Sequence, residues 1–468
     1  MECSMIEWRK LAICIALFVL VLILPADWLP LADLNPIQQR LLAIFVLAAG
    51  LWILEPIPVF ATSVVIITLE LMMLSSAGLG WLVADFRSAD LLLPYTSILN
   101  ALSSPIIILF LGGFALAVAA SKYELDINLA RVLLKPFGHK PQNVMLGLMM
   151  ITAVFSMFMS NTATTVMMLA ILAPVLAAVP EGDPGAKGLV LSIPVAANLG
   201  GIGTPIGTPP NAIALQYLEG ANAVSFGSWM AFGVPFVIVM LAVGWFLLTR
   251  FFPPKMTELN INIKRKFRTS PRAIIVYVTF ATTILLWLST KLHGMNSYVV
   301  AILPLAVFTA TGIISKEDLK LFNWDVIWLV AGGIAIGIAL SKTGLAEAIA
   351  HAVDFTVLPL ASVFIGLAVL CYLMANLMSN TATANLLMPV AVAVATTLID
   401  AGQLTGTTSL LLVVALSASM GMVLPVSTPP NALAYSSGKI NNKDMAKIGI
   451  AVSLIGLTVI LSACLLAV

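Results

Sequence analysis

Charge is scarce in this chain of 468 residues: Asp, Glu, Lys and Arg make up 9%, against about 25% in a soluble domain. A soluble enzyme is thereby excluded. So is a nucleic-acid-binding protein, because a formal net charge of +2 with no long basic tail offers no grip on a phosphate backbone. Cysteine is also rare. Cys3, Cys14, Cys371 and Cys464 stand singly without a CxxC spacing, so neither a disulfide framework nor a zinc site is expected. His139, His293 and His351 fall in or near loops and form no cluster, HExxH is absent, and no aspartate pair lies in facing spans. An enzyme is therefore not expected, and no catalytic residue is proposed.

What is abundant is apolar: 60% of the residues, gathered into runs of about 20 cut by short polar loops, the signature of an all-α polytopic membrane protein. Hydropathy places spans at 11–31, 37–55, 57–75, 104–121, 188–218, 228–250, 273–291, 297–314, 326–341, 408–437 and 446–466, eleven crossings in all. Arg9 and Lys10 ahead of the first run imitate a secretory signal. No small-residue cleavage site is clear, and the run continues through Trp28 and Leu29 toward a full span.

Two longer apolar stretches, 141–179 and 356–399, carry a polar Ser-Asn-Thr at the centre, and we expect them to turn back as re-entrant hairpins. The positive-inside rule supports this arrangement. With the N-terminus cytoplasmic, 19 of the 23 basic residues fall inside, leaving only Arg40, Arg87, Lys291 and Lys342 outside. Were either long stretch a simple crossing, everything downstream would invert and the agreement would be lost. The run Lys264 to Arg272 then reads as a cytoplasmic loop with an affinity for anionic headgroups.

An internal repeat organises the rest. Residues 160–164 and 379–383 both read Ser-Asn-Thr-Ala-Thr, and Thr208-Pro209-Pro210-Asn211-Ala212 returns as Thr428-Pro429-Pro430-Asn431-Ala432. Gly112-Gly113 pairs with Gly332-Gly333, and Ser121-Lys122 with Ser341-Lys342, all at an offset of 219 or 220 residues. Five crossings separate the hairpins, an odd number, so the two copies enter the membrane from opposite faces. That is the inverted-repeat plan of secondary transporters. The glycine pairs themselves are read as sites of close helix packing.

Polar, non-helical backbone at membrane depth is tolerated only where protein or a wet cavity satisfies it. At each hairpin tip the outgoing half-helix, from about Thr162 or Thr381, presents free N–H groups and the positive end of its dipole, which suit an anion. The incoming half-helix ends in free carbonyls. With the Ser160 and Ser379 hydroxyls and the Asn161 and Asn380 amide oxygens, these suit a small hard cation. Pro209, Pro210, Pro429 and Pro430 must interrupt their spans, and Thr208 is placed to cap the half-helix that restarts at proline. No Lys or Arg lies near either motif, so bound cations would have to supply the charge that balances an anion. Glu70, on an otherwise apolar segment, lies close enough to a loop to be expected in solvent rather than in a proton relay.

The paired Ser-Asn-Thr tips and Thr-Pro-Pro-Asn breaks resemble the divalent anion:sodium symporter family, over essentially the whole chain. The resemblance implies a homodimer whose protomers each pair a scaffold domain, here 1–137 and 253–352, with a transport domain, here 138–252 and 353–468, that moves as an elevator. It implies uptake of C4-dicarboxylates driven by co-transported Na+, with exchange of dicarboxylates without sodium, or carriage of citrate or sulfate, as alternatives. Carried over by motif, Asn161, Thr162, Thr208, Asn380, Thr381 and Pro425 would contact substrate. Ser156, Ser160, Asn161 and Gly207 would hold one sodium ion, and Ser379 and Asn380 with backbone near Met378 and Val423 a second. The chain departs from the pattern at Ala375, where the family has a hydroxyl. Dicarboxylate, sodium and membrane lipids are thus the implied partners, in a multi-pass protein of the bacterial inner membrane.

Overall fold

The computed structural model describes residues 6–29, 31, 34–87, 91–180, 182–218, 223–259, 267–352 and 354–466. Cys3 and the basic residues Lys264, Arg265 and Lys266 lie outside the described residues. Every named element is helical. First come α1 (Trp8–Ile23), α2 (Pro36–Leu54) and α3 (Val59–Met73), then the short α4 (Gly80–Arg87) and α5 (Tyr95–Leu99). A seven-helix series follows: α6 (Pro105–Lys122), α7 (Leu125–Leu134), α8 (Pro141–Phe158), α9 (Asn161–Ala178), α10 (Pro184–Gly201), α11 (Pro209–Tyr217) and α12 (Phe226–Phe251). After α13 (Pro271–Leu288), α14 (Thr290–His293) and α15 (Ser297–Ala310) the same order returns. It runs α16 (Trp324–Thr343), α17 (Leu345–His351), α18 (Leu360–Leu377), α19 (Asn380–Asp400), α20 (Thr408–Ser419), α21 (Pro429–Ser436) and α22 (Asn442–Leu466).

Proline opens α2, α6, α8, α10, α11, α13 and α21. Its fixed φ is already helical there, and the missing N–H is one that no helix can satisfy. Asn35 completes the start of α2 with a capping box, its Oδ1 accepting from the Gln38 N–H at 2.9 Å while Gln38 Oε1 accepts from the Asn35 N–H at 2.9 Å. Nine helical segments among the described residues are long and apolar enough to cross a membrane. Three of these, α8, α18 and α19, are arms of the two Ser-Asn-Thr hairpins, so length alone does not separate an arm from a crossing. In each hairpin two extended residues, Met159-Ser160 or Met378-Ser379, join arms that pack on one another.

Two expectations are corrected. The first span was expected to run to residue 31, but α1 ends at Ile23 and Pro25 begins a separate single turn, Ala26–Trp28; proline cannot continue the backbone ladder. Glu70 is not in solvent. It is fully buried on the stripe Thr62, Ser63, Ile66, Ile67, Glu70 and Met73 that α3 turns toward its neighbours, because the helical period puts it in line with apolar residues. Neither of its carboxyl oxygens has a hydrogen-bond partner among the described residues.

The two series interlock crosswise. Helix α3, ahead of the first, packs on α16 of the second, and α15, ahead of the second, packs on α6 of the first. Both contacts are close because a glycine stands at each: a methyl group on Gly332 would collide with Ser63, and one on Gly112 with the Ala301 carbonyl. Likewise α11 packs on α19 and α20, while α21 packs on α9 and α10. Each broken helix therefore lies against the hairpin of the other copy, and this brings the two tips together.

Candidate substrate cavity between the repeats

The hairpin tips have nearly the same backbone. Ser160 (φ −64°, ψ 140°) and Ser379 (φ −67°, ψ 145°) are extended, and each hydroxyl caps its outgoing helix by accepting the N–H three residues on, from Ala163 at 3.2 Å or Ala382 at 3.1 Å. The N–H groups of Asn161 and Thr162, and of Asn380 and Thr381, are left without a partner among the described residues. The helices begin at Asn161 and Asn380, one residue earlier than expected.

The broken helices match as well, with Thr208 at φ −145°, ψ 141° and Thr428 at φ −143°, ψ 147°. The asparagine of each Thr-Pro-Pro-Asn motif reaches back into the non-helical loop. Asn211 Nδ2 donates to the Thr204 carbonyl at 2.9 Å and to those of Gly201 and Ile202 at 3.2 Å; Asn431 Nδ2 donates to the Met422 carbonyl at 2.8 Å and that of Leu424 at 3.0 Å. These bonds satisfy carbonyls that the interruption removes from the helix ladder. Caps differ: the Thr428 hydroxyl accepts from the Asn431 N–H at 3.4 Å, whereas the Thr208 side chain, contrary to expectation, caps nothing. With proline at their first two positions, α11 and α21 lack the donors that α9 and α19 offer.

Between these elements lies a cavity of about 490 Å³, within the usual range of about 300–1,000 Å³ for small-molecule sites. Asn161, Thr162, Thr208, Asn380 and Thr381 line it, together with Ser160, Gly207 and Ser379. Ser156, Met378 and Val423 are buried behind that lining. Pro425, expected at the substrate, is half-buried in the loop and does not line the cavity. Thr428, the counterpart of Thr208 at the repeat offset, does so instead, with Ser427. Among the described residues no Lys, Arg or His lines the cavity, and the one charged lining side chain is Asp325, at the start of α16.

Behind the first tip, oxygens converge. The Ser156 hydroxyl lies within hydrogen-bond reach of Asn161 Oδ1 and, at 2.7 Å, of the Ala197 carbonyl. A methyl group built on Gly201 would stand 2.8 Å from Asn161 Oδ1 and 2.9 Å from the Gly207 carbonyl, and one on Gly207 would stand 2.9 Å from the Ser156 carbonyl. This donor set of hydroxyl, amide and carbonyl oxygens suits a hard cation.

The second tip is built differently. Ala375 replaces the hydroxyl, a methyl on Gly421 would stand 2.5 Å from its Cβ, and Asn380 Oδ1 is buried without a partner among the described residues. Nearby, Asn376 Oδ1 accepts from the Val423 N–H at 2.9 Å, and the Ser427 hydroxyl lies 3.3 Å from the Asn376 carbonyl while accepting from the Leu424 N–H at 3.1 Å. In the first copy Thr204 has that role, donating to the Met157 carbonyl and accepting from the Gly207 N–H at 3.1 Å. The hydroxyl has moved from one end of the loop to the other.

Residues that sequence reasoning missed fall into two kinds. Asn211, Asn431 and Thr428 belong to the repeated motif, and the offset from Thr208 was the signal that would have found Thr428. Asn198 carried no such signal, because its counterpart is Ala418. Its Nδ2 donates to Thr428 Oγ1 and to Asn431 Oδ1, both at 3.1 Å, and so fastens the first copy's α10 to the second copy's broken helix.

Residues 49–408 match the family model described as "Citrate transporter". The sodium-dependent dicarboxylate transporter SdcS of Staphylococcus aureus is 31% identical over 462 residues, 90% of this chain and 84% of that one. The inorganic phosphate transporter PHO87 of Saccharomyces cerevisiae is 30% identical over 86% of this chain and 43% of its own; the chain spans about half the length of the yeast relatives it matches. Among solved structures, the YdaH transporter of Alcanivorax borkumensis superposes with a TM-score of 0.55 at 15% identity, covering 79% of this chain and 86% of the other. The interlocked repeats, the cavity they enclose and these matches agree: the chain is a multi-pass membrane transporter, not an enzyme, and belongs to the citrate transporter family, with the divalent anion:sodium symporters among its relatives.

Proposed function

We propose that the chain imports C4-dicarboxylates such as succinate, fumarate or malate by sodium symport. The observation that carries this reading is the pair of free helix N-termini, α9 and α19, on one cavity whose lining, among the described residues, holds no cationic side chain. Each N-terminus would take one carboxylate through its two free N–H groups and the side chains of Asn161 and Thr162 or Asn380 and Thr381. A dianion taken from water with no cation beside it is strongly disfavoured. Sodium ions in the oxygen cluster of Ser156, Ser160, Asn161 and Gly207, and at Ser379, Asn380 and the backbone near Met378 and Val423, would supply the missing charge and tie their gradient to the substrate. The name of the Staphylococcus aureus relative points the same way.

The mechanism we infer is an elevator in a homodimer. Residues 138–252 and 353–468 would form the moving transport domain, and 1–137 with 253–352 the scaffold. The topology we assign has eleven crossings and two re-entrant hairpins as an inverted repeat, with a cytoplasmic N-terminus in a bacterial inner membrane. Measuring succinate uptake into proteoliposomes with and without an inward sodium gradient tests the function: uptake that follows the gradient is expected. Equal rates would favour the second reading, sodium-independent exchange, which Ala375 and the unpartnered Asn380 oxygen support. Excess citrate, sulfate and phosphate as competitors would separate the neighbouring anion classes.

A further inference from the structure

Among the described residues Asp325 is the one charged side chain lining the cavity. It stands exposed in the first turn of α16, which with its N-cap residue contributes Asn323, Asp325, Val326 and Leu329 to the cavity lining. No cation pairs with it among the described residues. The helix dipole gives a carboxylate a modest reason to sit there, but one fixed negative charge facing a cavity built for an anion also acts on whatever passes.

We propose that Asp325 tunes the charge of this cavity: it repels polyanions, so that the anion is held weakly and released readily, and it draws cations toward the oxygen cluster. The inference rests on the proposed anion-carrying role of the cavity. Repulsion between one fixed charge and a ligand is proportional to the ligand's charge and is screened by salt over about 10 Å. A role confined to stabilising α16 is also screened by salt, but it does not scale with the charge of the ligand.

The test uses the purified full-length protein and measures equilibrium binding of succinate and of monomethyl succinate at constant sodium, in about 20 mM and about 500 mM choline chloride. At low salt Asp325→Asn is expected to tighten succinate about 5- to 10-fold, and the monoanion by about the square root of that factor. The gain should shrink in high salt, the sodium half-saturation for succinate binding should rise, and Asp325→Glu should behave as the wild type. Asp325→Ser serves as a second neutral variant if Asp325→Asn does not fold. Succinate affinity unchanged or weakened in the neutral variants, or a gain equal at both salt concentrations, would overturn the inference while leaving the transport reading intact. A wild type that binds no succinate, citrate or phosphate would overturn both.

Discussion

The two hairpin tips share five residues and one backbone geometry, yet they stand in different surroundings. Thr162 is exposed and α9 is open along much of its first turns, whereas Thr381 is 8% exposed and α19 is buried from Thr381 to Pro389. Asn161 Oδ1 accepts a hydrogen bond from the Ser156 hydroxyl, while Asn380 Oδ1, with Ala375 at the position equivalent to Ser156, accepts none among the described residues. The shared motif thus dictates the local turn and the free N–H groups. The residue four positions before the serine, and the helices packed around it, decide what the amide oxygen can hold.

The broadest way to break this comparison is to remove each amide. Asn161→Ala and Asn380→Ala should each abolish succinate uptake in proteoliposomes while the thermal unfolding midpoint stays close to that of the wild type. Normal transport by either variant would mean that only one tip binds substrate. A sharper change exchanges the feature that differs: Ser156→Ala should raise the sodium half-saturation about tenfold, the loss of about 1.4 kcal/mol expected for one good ligand bond. Ala375→Ser, small enough for the close Gly421 backbone, should lower it by a smaller factor. Titrating uptake against sodium decides both, and equal curves for the three proteins would erase the asymmetry.

A smaller effect comes from the link between the copies. Asn198→Ala removes the donor to both Thr428 Oγ1 and Asn431 Oδ1 and should cost about 1–3 kcal/mol of stability, read as a lowered unfolding midpoint.

The smallest concerns how each hairpin is moored at its far end. Burial pushes the Asp183 carboxyl up, but the N–H groups of Lys255, Gly185 and Met256 outweigh this and hold it below the usual carboxylate range. A carboxyl lowered on folding adds stability that is present above its unfolded value, about 3.9, and lost as pH falls through the folded value. The second hairpin is moored instead by a neutral bond, Gln403 Nε2 to the Thr356 carbonyl at 2.7 Å. Asp183→Asn should therefore lower the midpoint at pH 7 by a few degrees, with the gap closing below about pH 4; the gap caused by Gln403→Ala should not change with pH.

Much of the fold was legible because it is written twice. A single Ser-Asn-Thr could be helix glue, but two at one offset, each followed by a double proline, located both hairpins and both broken helices. What stayed hidden depends on neighbours distant in sequence. Glu70 was placed in solvent because the nearby loop was visible and α16 was not. Pro425 was preferred to Thr428 on resemblance, although the repeat itself pointed to Thr428. Asn198 has no twin, and only crosswise packing gives it partners.

The central claim, that both tips hold one anion in one cavity, is tested most directly by thiol protection. In a background where Cys3, Cys14, Cys371 and Cys464 are replaced, Thr162→Cys and Thr381→Cys would be exposed separately to a soluble thiol reagent with sodium present. Succinate should slow labelling at both positions. Protection at one position alone would contradict a shared site.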